Sequence, residues 1–202
     1  MRIIGGEKKG TRLFEVARIR PTADKVREAI FDILRRAVEG ASVLDLFAGT
    51  GAMGLEALSR GAEYVVFVEN SRAVVAALER NVEKLGYRKR SRIIRASASS
   101  IERFLQEESR RFSLIFMDPP YRQTLKVVPG RKIYELIKTL SDEEKILPEA
   151  LLVLEHRKDA EVPRQISSLS RQDQRRYGHT AISFFVKVPS VKPGAQNADR
   201  AQ

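Results

Sequence analysis

Apolar residues recur along this chain in two rhythms: short continuous runs, and stretches where they return every three or four positions. Runs open at Val43, Tyr64, Arg92, Phe112 and Ala150, and each reads as a buried strand. Between them lie helical stripes: Met53, Leu55, Leu58; Val74, Val75, Leu78, Val82, Leu85; Ile101, Phe104, Leu105; and Ile133, Leu136, Ile137, Leu140. Strand and helix thus alternate from about residue 42 to residue 150, which predicts an α/β fold whose first four strands at least are parallel. The last run, Tyr177 to Val188, is strand-like without a preceding helix and fits an antiparallel closing pair. Ser168 to Arg176 before it is polar and Arg-rich.

Ahead of this core, Val26, Ala29, Ile30, Ile33, Leu34 and Ala37 form a stripe ending near Gly40. Pro21 and Thr22 mark its start, with Thr22 as a candidate cap. Ser71 is placed to cap the helix that ends at Gly86. Met1 to Leu13 has two apolar ends around a Gly- and Lys-rich centre, the pattern of a hairpin with basic residues, Lys8 and Lys9, at its turn. The expected organisation is a basic N-terminal hairpin over 1–20, one domain over 21–188, and a disordered tail over 189–202.

Composition narrows the chemistry. There is no cysteine, and the two histidines, His156 and His179, are far apart, so neither a disulfide framework nor a metal site is expected. No apolar run is long enough for a bilayer span and no signal-peptide pattern opens the chain; a soluble cytoplasmic protein is expected. The formal net charge of +11 points to a polyanionic partner, most simply nucleic acid. Arg88 to Arg92 and Arg122 to Pro129 are basic segments that serve equally as solvated loops or as nucleic-acid contacts.

The stretch from Val43 to Gly61 runs from a strand through glycines into a helix. That arrangement sets backbone N–H groups and a helix N-terminus over a ligand. Gly49, Gly51 and Gly54 spell the dinucleotide fingerprint G-x-G-x-x-G, and Glu69 follows at the distance suited to ribose hydroxyls. Asp45, however, stands inside the strand before the loop, where a carboxylate would repel a pyrophosphate. It suits a ligand with an ammonium group and no phosphate, such as S-adenosylmethionine. Two other readings stay open: a nicotinamide dinucleotide, and an Asp45 that only caps the turn.

Asp118-Pro-Pro-Tyr121 ends the fourth strand, on the same rim as the glycine loop. Prolines supply carbonyl acceptors and no N–H donors, Asp118 adds carboxylate acceptors, and Tyr121 adds an aromatic face. Together they fit a nucleobase with an exocyclic amine, stacked on Tyr121 and donating to Asp118 and the Pro119 carbonyl. Acceptors on both amine hydrogens favour a pyramidal nitrogen with its lone pair available for methyl transfer. The final proton acceptor is Asp118 or water. The bland alternative is a plain Asp-Pro-Pro turn.

Asp45-Leu-Phe-Ala-Gly-Thr-Gly and Asp118-Pro-Pro-Tyr resemble the cofactor and catalytic motifs of class I amino-methyltransferases. With Met1-Arg-Ile-Ile-Gly-Gly, Lys9-Gly, Arg20-Pro-Thr, Val26-Arg-Glu-Ala, Glu155-His and Tyr177-Gly-His-Thr, the chain resembles the RsmD family of bacterial 16S ribosomal RNA (guanine-N2)-methyltransferases over roughly residues 1 to 188. The resemblance implies a Rossmann-like, seven-stranded, mostly parallel sheet with an antiparallel closing strand and an N-terminal hairpin. It implies methyl transfer from S-adenosylmethionine to guanine N2 in 16S ribosomal RNA, within the small (30S) subunit or its assembly precursor. Carried over by position, Asp45, Phe47, Ala48, Gly49, Thr50 and Gly51 would line the methionine end, and Glu69 with Asn70 the ribose. Ser97 and Ala98 would lie at the adenine, and Asp118, Pro119, Pro120 and Tyr121 would hold the guanine. Arg20 and Thr22 would sit near the site, with Lys8, Lys9 and Arg122 as further RNA contacts. One departure is Ser97, where the family usually has an Asp; losing that charge-assisted bond would weaken cofactor binding by about 1–2 kcal/mol. A monomer is expected. Rival readings are an adenine-N6 DNA methyltransferase, a glutamine-N5 methyltransferase of proteins (which usually carries Asn where Asp118 stands), and a catalytically idle RNA-binding assembly factor.

Overall fold

The computed structural model describes residues 1–16 and 24–188. Arg20, Pro21 and Thr22, and the tail over 189–202, lie outside the described residues. The described elements are α1 (Asp24–Leu34), β1 (Ser42–Leu46), α2 (Ala52–Ser59), β2 (Tyr64–Glu69), α3 (Arg72–Leu85), β3 (Ser91–Arg95), α4 (Ile101–Glu107), β4 (Phe112–Met117), α5 (Lys132–Asp142), β5 (Ile146–Arg157), β6 (Gln165–Ile166), β7 (Leu169–Tyr177) and β8 (Thr180–Lys187). They form one sheet in the order β3-β2-β1-β4-β5-β8-β7-β6. The first five strands run parallel, and β8, β7 and β6 follow antiparallel.

The central strands are buried on both faces, which is why they read as continuous apolar runs rather than alternating ones. One face packs Phe31 and Leu34 of α1, Leu55 and Leu58 of α2, and Leu78 and Val82 of α3 against Val43, Val65 and Phe116. The other packs Ile101 and Leu105 of α4 and Ile133, Ile137 and Leu140 of α5 against Leu44, Val66, Ile115 and Leu152. All the apolar positions expected for α3 and α5 are buried.

The structure departs from the sequence reading in four places. The sheet has eight strands rather than seven, the addition being the two-residue β6. The polar stretch before Tyr177 is a strand: β7 pairs along most of β8. Its side chains are mostly half-buried or exposed, so no apolar rhythm marks it, and only the partner strand selects it. The buried face of α1 is rotated from the expected stripe: Arg27 and Phe31 are inside, while Ile33 is 41% exposed. Ser71 makes no side-chain cap; its N–H donates to Glu69 Oε1 at 2.8 Å.

The rotation of α1 has an electrostatic cause. Arg27 is fully buried and its Nη2 donates to the Arg2 carbonyl at 2.5 Å and to Asp24 at 2.9 Å. Its Nε lies 3.8 Å from Oε2 of Glu56, which is also fully buried. Glu56 in turn accepts from the Ile4 N–H at 2.8 Å and from Arg60 at 2.7 Å. This network fastens the N-terminal segment onto α1 and α2. That segment is a minimal hairpin, with one antiparallel bridge between Arg2 and Arg12 rather than extended strands. Its turn lies against the C-terminal end of α2: the Lys8 N–H donates to Ser59 Oγ and the Glu7 N–H to the Ser59 carbonyl.

Glu56→Ala should leave Asp24 as the one carboxylate partner of buried Arg27 among the described residues, remove the acceptor of the Ile4 N–H and of Arg60, and cost about 3–5 kcal/mol. Denaturant unfolding at pH 7 measures this, and a loss below about 1 kcal/mol would show that the network is not holding the hairpin.

Candidate active site

β1 ends at Leu46, whose register partners are Val68 in β2 and Met117 in β4; Met117 faces Leu154 in β5. One residue further along each strand stand Glu69, Phe47, Asp118 and Glu155. Four separate sequence segments therefore reach one line at the C-terminal rim of the sheet, where open α/β folds bind ligands.

The turn after β1 is tight. Phe47 adopts φ 61°, a left-handed conformation that costs a non-glycine residue about 1 kcal/mol or more and that persists where surrounding contacts impose it. Gly51 is the N-cap of α2 with φ 91°, and it offers no side chain to the helix's free N–H groups. Asp45 caps the helix in its place, its Oδ2 accepting from the Gly54 N–H, in the first turn of α2, at 2.9 Å. Gly54 is held to glycine by packing, since a Cβ there would come within 2.3 Å of the Phe67 ring and 2.7 Å of Val65. The capping role of Asp45 is thus real, and it leaves the second carboxylate oxygen for other partners.

Glu69 braces the same loop. Its Oε2 accepts from the Gly49 N–H at 3.0 Å and its Oε1 from the Ser71 N–H. Two carboxylates consequently flank the glycine turn. Burial raises the Asp45 carboxyl to about 7 against the opposing Gly54 hydrogen bond, with the Glu69 charge pushing the same way. A pyrophosphate at this turn would meet two acids.

Ala48 and Thr50 are buried in the loop, while Asn70 is exposed beyond Glu69. Ala98 is buried beneath the end of β3. Ser97 is exposed and its Oγ caps a short turn, 2.8 Å from Ser99 Oγ and 3.4 Å from the Ser99 N–H. It therefore serves the backbone locally, as serine does at such positions.

At the other half of the rim, Pro119 is buried and Asp118 half-buried. The Tyr121 carbonyl accepts from both the N–H and the Oγ1 of the fully buried Thr124 at 3.1 Å, which folds the chain into a fixed turn. Tyr121 Oη donates to Glu155 at 3.3 Å and lies 2.5 Å from Thr180 Oγ1. Desolvation raises the Tyr121 hydroxyl above its ordinary value, the Thr180 hydrogen bond opposes this, and Glu155 and Asp118 add to it. The ring is thus locked as a neutral phenol. Sequence reasoning gave no role to Glu155 and Thr180; they lay within Glu155-His and Tyr177-Gly-His-Thr, but only the β5–β8 pairing brings both to Tyr121.

The remaining candidates divide. Arg122 is exposed directly after Tyr121. Lys8 and Lys9 are not brought to this rim. Their turn bonds Ser59, and neighbouring Glu7 accepts from Tyr87 and Arg90, which precede β3, so it sits at the opposite end of the parallel strands. The second limb of the hairpin does approach the glycine loop: buried Asn81 joins both the N–H and the carbonyl of Phe14 to the Thr50 carbonyl. Among the described residues no group of acidic or histidine side chains is arranged to hold a metal ion.

The model of a family described as "Conserved hypothetical protein 95" matches residues 1–186. The chain belongs to the RsmD family. It is 37% identical over 193 residues to YlbH of Bacillus subtilis, covering 93% of this chain and 99% of that protein. It is 33% identical over 187 residues to ribosomal RNA small subunit methyltransferase D of Escherichia coli K12, covering 92% and 89%. The solved structure of Escherichia coli yhhF superposes with a TM-score of 0.79 at 33% identity, covering 93% of this chain and 98% of that one. The RsmD resemblance therefore extends through both halves of the rim and the antiparallel strands that carry Thr180.

Because the folded Asp45 value of about 7 lies above the ordinary 3.8, its protonation stabilises the folded state fully below about pH 4. That contribution declines as pH rises and is gone above about pH 7. The stability of the protein relative to Asp45→Asn, which cannot titrate, should fall between pH 4 and 7 by a full amplitude on the order of 4 kcal/mol, then level off. Denaturant melts across that range measure it; a flat difference would mean that Asp45 ionises as an exposed carboxylate does.

Proposed function

We propose that this chain transfers a methyl group from S-adenosylmethionine to the exocyclic N2 of a guanine in 16S ribosomal RNA. The observation that carries the reading is the alignment of Phe47, Glu69, Asp118 and Glu155 one register step beyond paired residues of four strands. It sets an acid-flanked glycine turn beside an acceptor-rich, aromatic turn. The named activity of the Escherichia coli relative, a small-subunit ribosomal RNA methyltransferase, supports the substrate class, and the net charge of +11 supports a nucleic-acid partner.

In this reading the buried Asp45, together with the turn from Phe47 to Gly51, receives the amino-acid end of the cofactor. Glu69 and Asn70 meet its ribose, and Ala98 and Ser97 its adenine. Two carboxylates, with no fixed cation at the turn among the described residues, fit a cationic ligand and disfavour a dinucleotide. When bound, S-adenosylmethionine supplies an electrophilic methyl on a positively charged sulfur. What remains for the protein is to position the nucleophile. Asp118 and the Pro119 carbonyl accept the two N2 hydrogens, which directs the nitrogen lone pair out of the base plane. Tyr121, locked by Glu155 and Thr180, stacks on the base. Arg122 follows the tetrapeptide toward RNA phosphate, and Arg20 and Thr22 are assigned to the RNA side of the site. The proton released from nitrogen goes to Asp118 or to water. The substrate is the small subunit or its assembly precursor, and the enzyme works as a cytoplasmic monomer.

The idle-scaffold alternative rests on Ser97, whose hydroxyl is spent on capping. Transfer of labelled methyl from S-adenosylmethionine to small subunits lacking N2-methylguanine separates the readings. Wild type should place label in N2-methylguanine, and Asp118→Ala should lower kcat at least a hundredfold, the order expected for losing a group that acts on the reacting atom. Label in DNA adenine instead would favour the adenine-N6 reading, and no cofactor binding by wild type would favour the scaffold.

A further inference from the structure

Beyond the catalytic turn the chain builds a second feature with its own chemistry. Arg122, Lys126, Arg131 and Lys132 line one cleft of about 460 Å³, together with Gln123 and Leu125. All four cationic residues are exposed, and none forms an ion pair among the described residues. This contrasts with Arg60, Arg92 and Arg157, each of which is matched to a carboxylate. Two acids stand close by: Glu135 accepts from the Gly130 N–H at 2.7 Å, and Glu161 is the bridge partner of Lys126, its carbonyl accepting from the Val127 N–H at 2.9 Å.

The cleft is also held in shape. Val127 and Thr124 are fully buried, the backbone of Lys126 forms a β-bridge with that of Glu161, and the Arg131 N–H donates to the Val128 carbonyl. Thr124 bonds directly to the Tyr121 carbonyl, so the frame of the cleft and that of the catalytic turn are continuous. Four cations lining one concave surface without an ion pair among the described residues raise its local positive potential. Leu125, 49% exposed, adds an apolar surface to the lining. Arg donors suit phosphate oxygens in paired geometry, and a flexible single strand can follow such a groove.

We propose that this cleft is a phosphodiester clamp that grips the single-stranded RNA adjoining the target nucleotide. The proposal rests on the RNA-methyltransferase reading above and adds the surface that holds the strand while its base sits at Tyr121. Cations on a frame continuous with the reacting turn fix the register of the strand, so the clamp acts on substrate affinity rather than on the chemical step.

The test pairs Lys126→Gln/Arg131→Gln with a control of equal charge change, Arg36→Gln/Arg103→Gln, at exposed positions outside the cleft. Each takes the net charge from +11 to +9. Binding of a fluorescent single-stranded RNA is read by anisotropy against salt, and methyl transfer to small subunits is read in parallel. The cleft variant should bind RNA about tenfold more weakly at moderate salt. Its log–log salt slope should be shallower by about 1.4, two contacts at about 0.7 each. KM for subunits should rise with kcat little changed, and the control should match wild type. Equal weakening in both variants, or in neither, overturns the clamp. Weaker RNA binding in the cleft variant alone, with no methyl transfer by wild type, would keep the clamp and sink the reaction assigned to the site.

Discussion

A single buried carboxylate holds the centre of this structure together. Asp45 leaves β1 and accepts from the Gly54 N–H in α2, so the strand itself supplies the cap that Gly51 cannot. The turn between them can then be built with a bare backbone exposed to a ligand, while the helix start stays satisfied. Burial makes the arrangement costly for an ionised acid and raises its proton affinity. The same group that completes the turn is therefore poised to gain from a positive partner. Glu69 repeats the principle from β2, bracing the loop with one oxygen and the start of α3 with the other.

The N-terminal segment depends on a different buried charge. Arg27 and Glu56 face each other in the interior, and each forms one hydrogen bond with the backbone of the N-terminal segment, at residues 2 and 4. A minimal hairpin with one bridge would be marginal alone; here ionic and backbone bonds to α1 and α2 fix it. Its basic turn consequently lies at the far end of the strands from the rim. Its second limb runs back to the glycine loop, where Asn81 ties Phe14 to Thr50. Among the described residues, the loop after Tyr121 and the start of α5 bring positive charge toward the rim.

Much of this was readable from residue patterns. Continuous apolar runs separated by helical stripes specify an α/β sheet, because strands covered on both faces admit few polar residues. The apolar faces of α3 and α5, and the Gly86 stop, follow from spacing and from the cost of a left-handed residue that is not glycine. The two motif turns were legible as turns for a similar reason: glycines after Asp45 and prolines after Asp118 end a strand.

What the sequence determined by itself was therefore local: where the buried apolar strands and the amphipathic helices lie, and where turns interrupt them. Tertiary structure decided what depends on partners distant along the chain. β7 is a strand because β8 offers it a ladder, not because of its own composition. Arg27 is inside because Glu56 and the Arg2 carbonyl meet it there. Glu155 and Thr180 reach Tyr121 through the register of an antiparallel pair. Lys8 and Lys9 stand at the opposite end of the sheet from the rim because the bonds of their turn to Ser59 set them there. A buried charge, or a polar strand, is stable only when a second group compensates it, and that second group has no signature in the first one's neighbourhood.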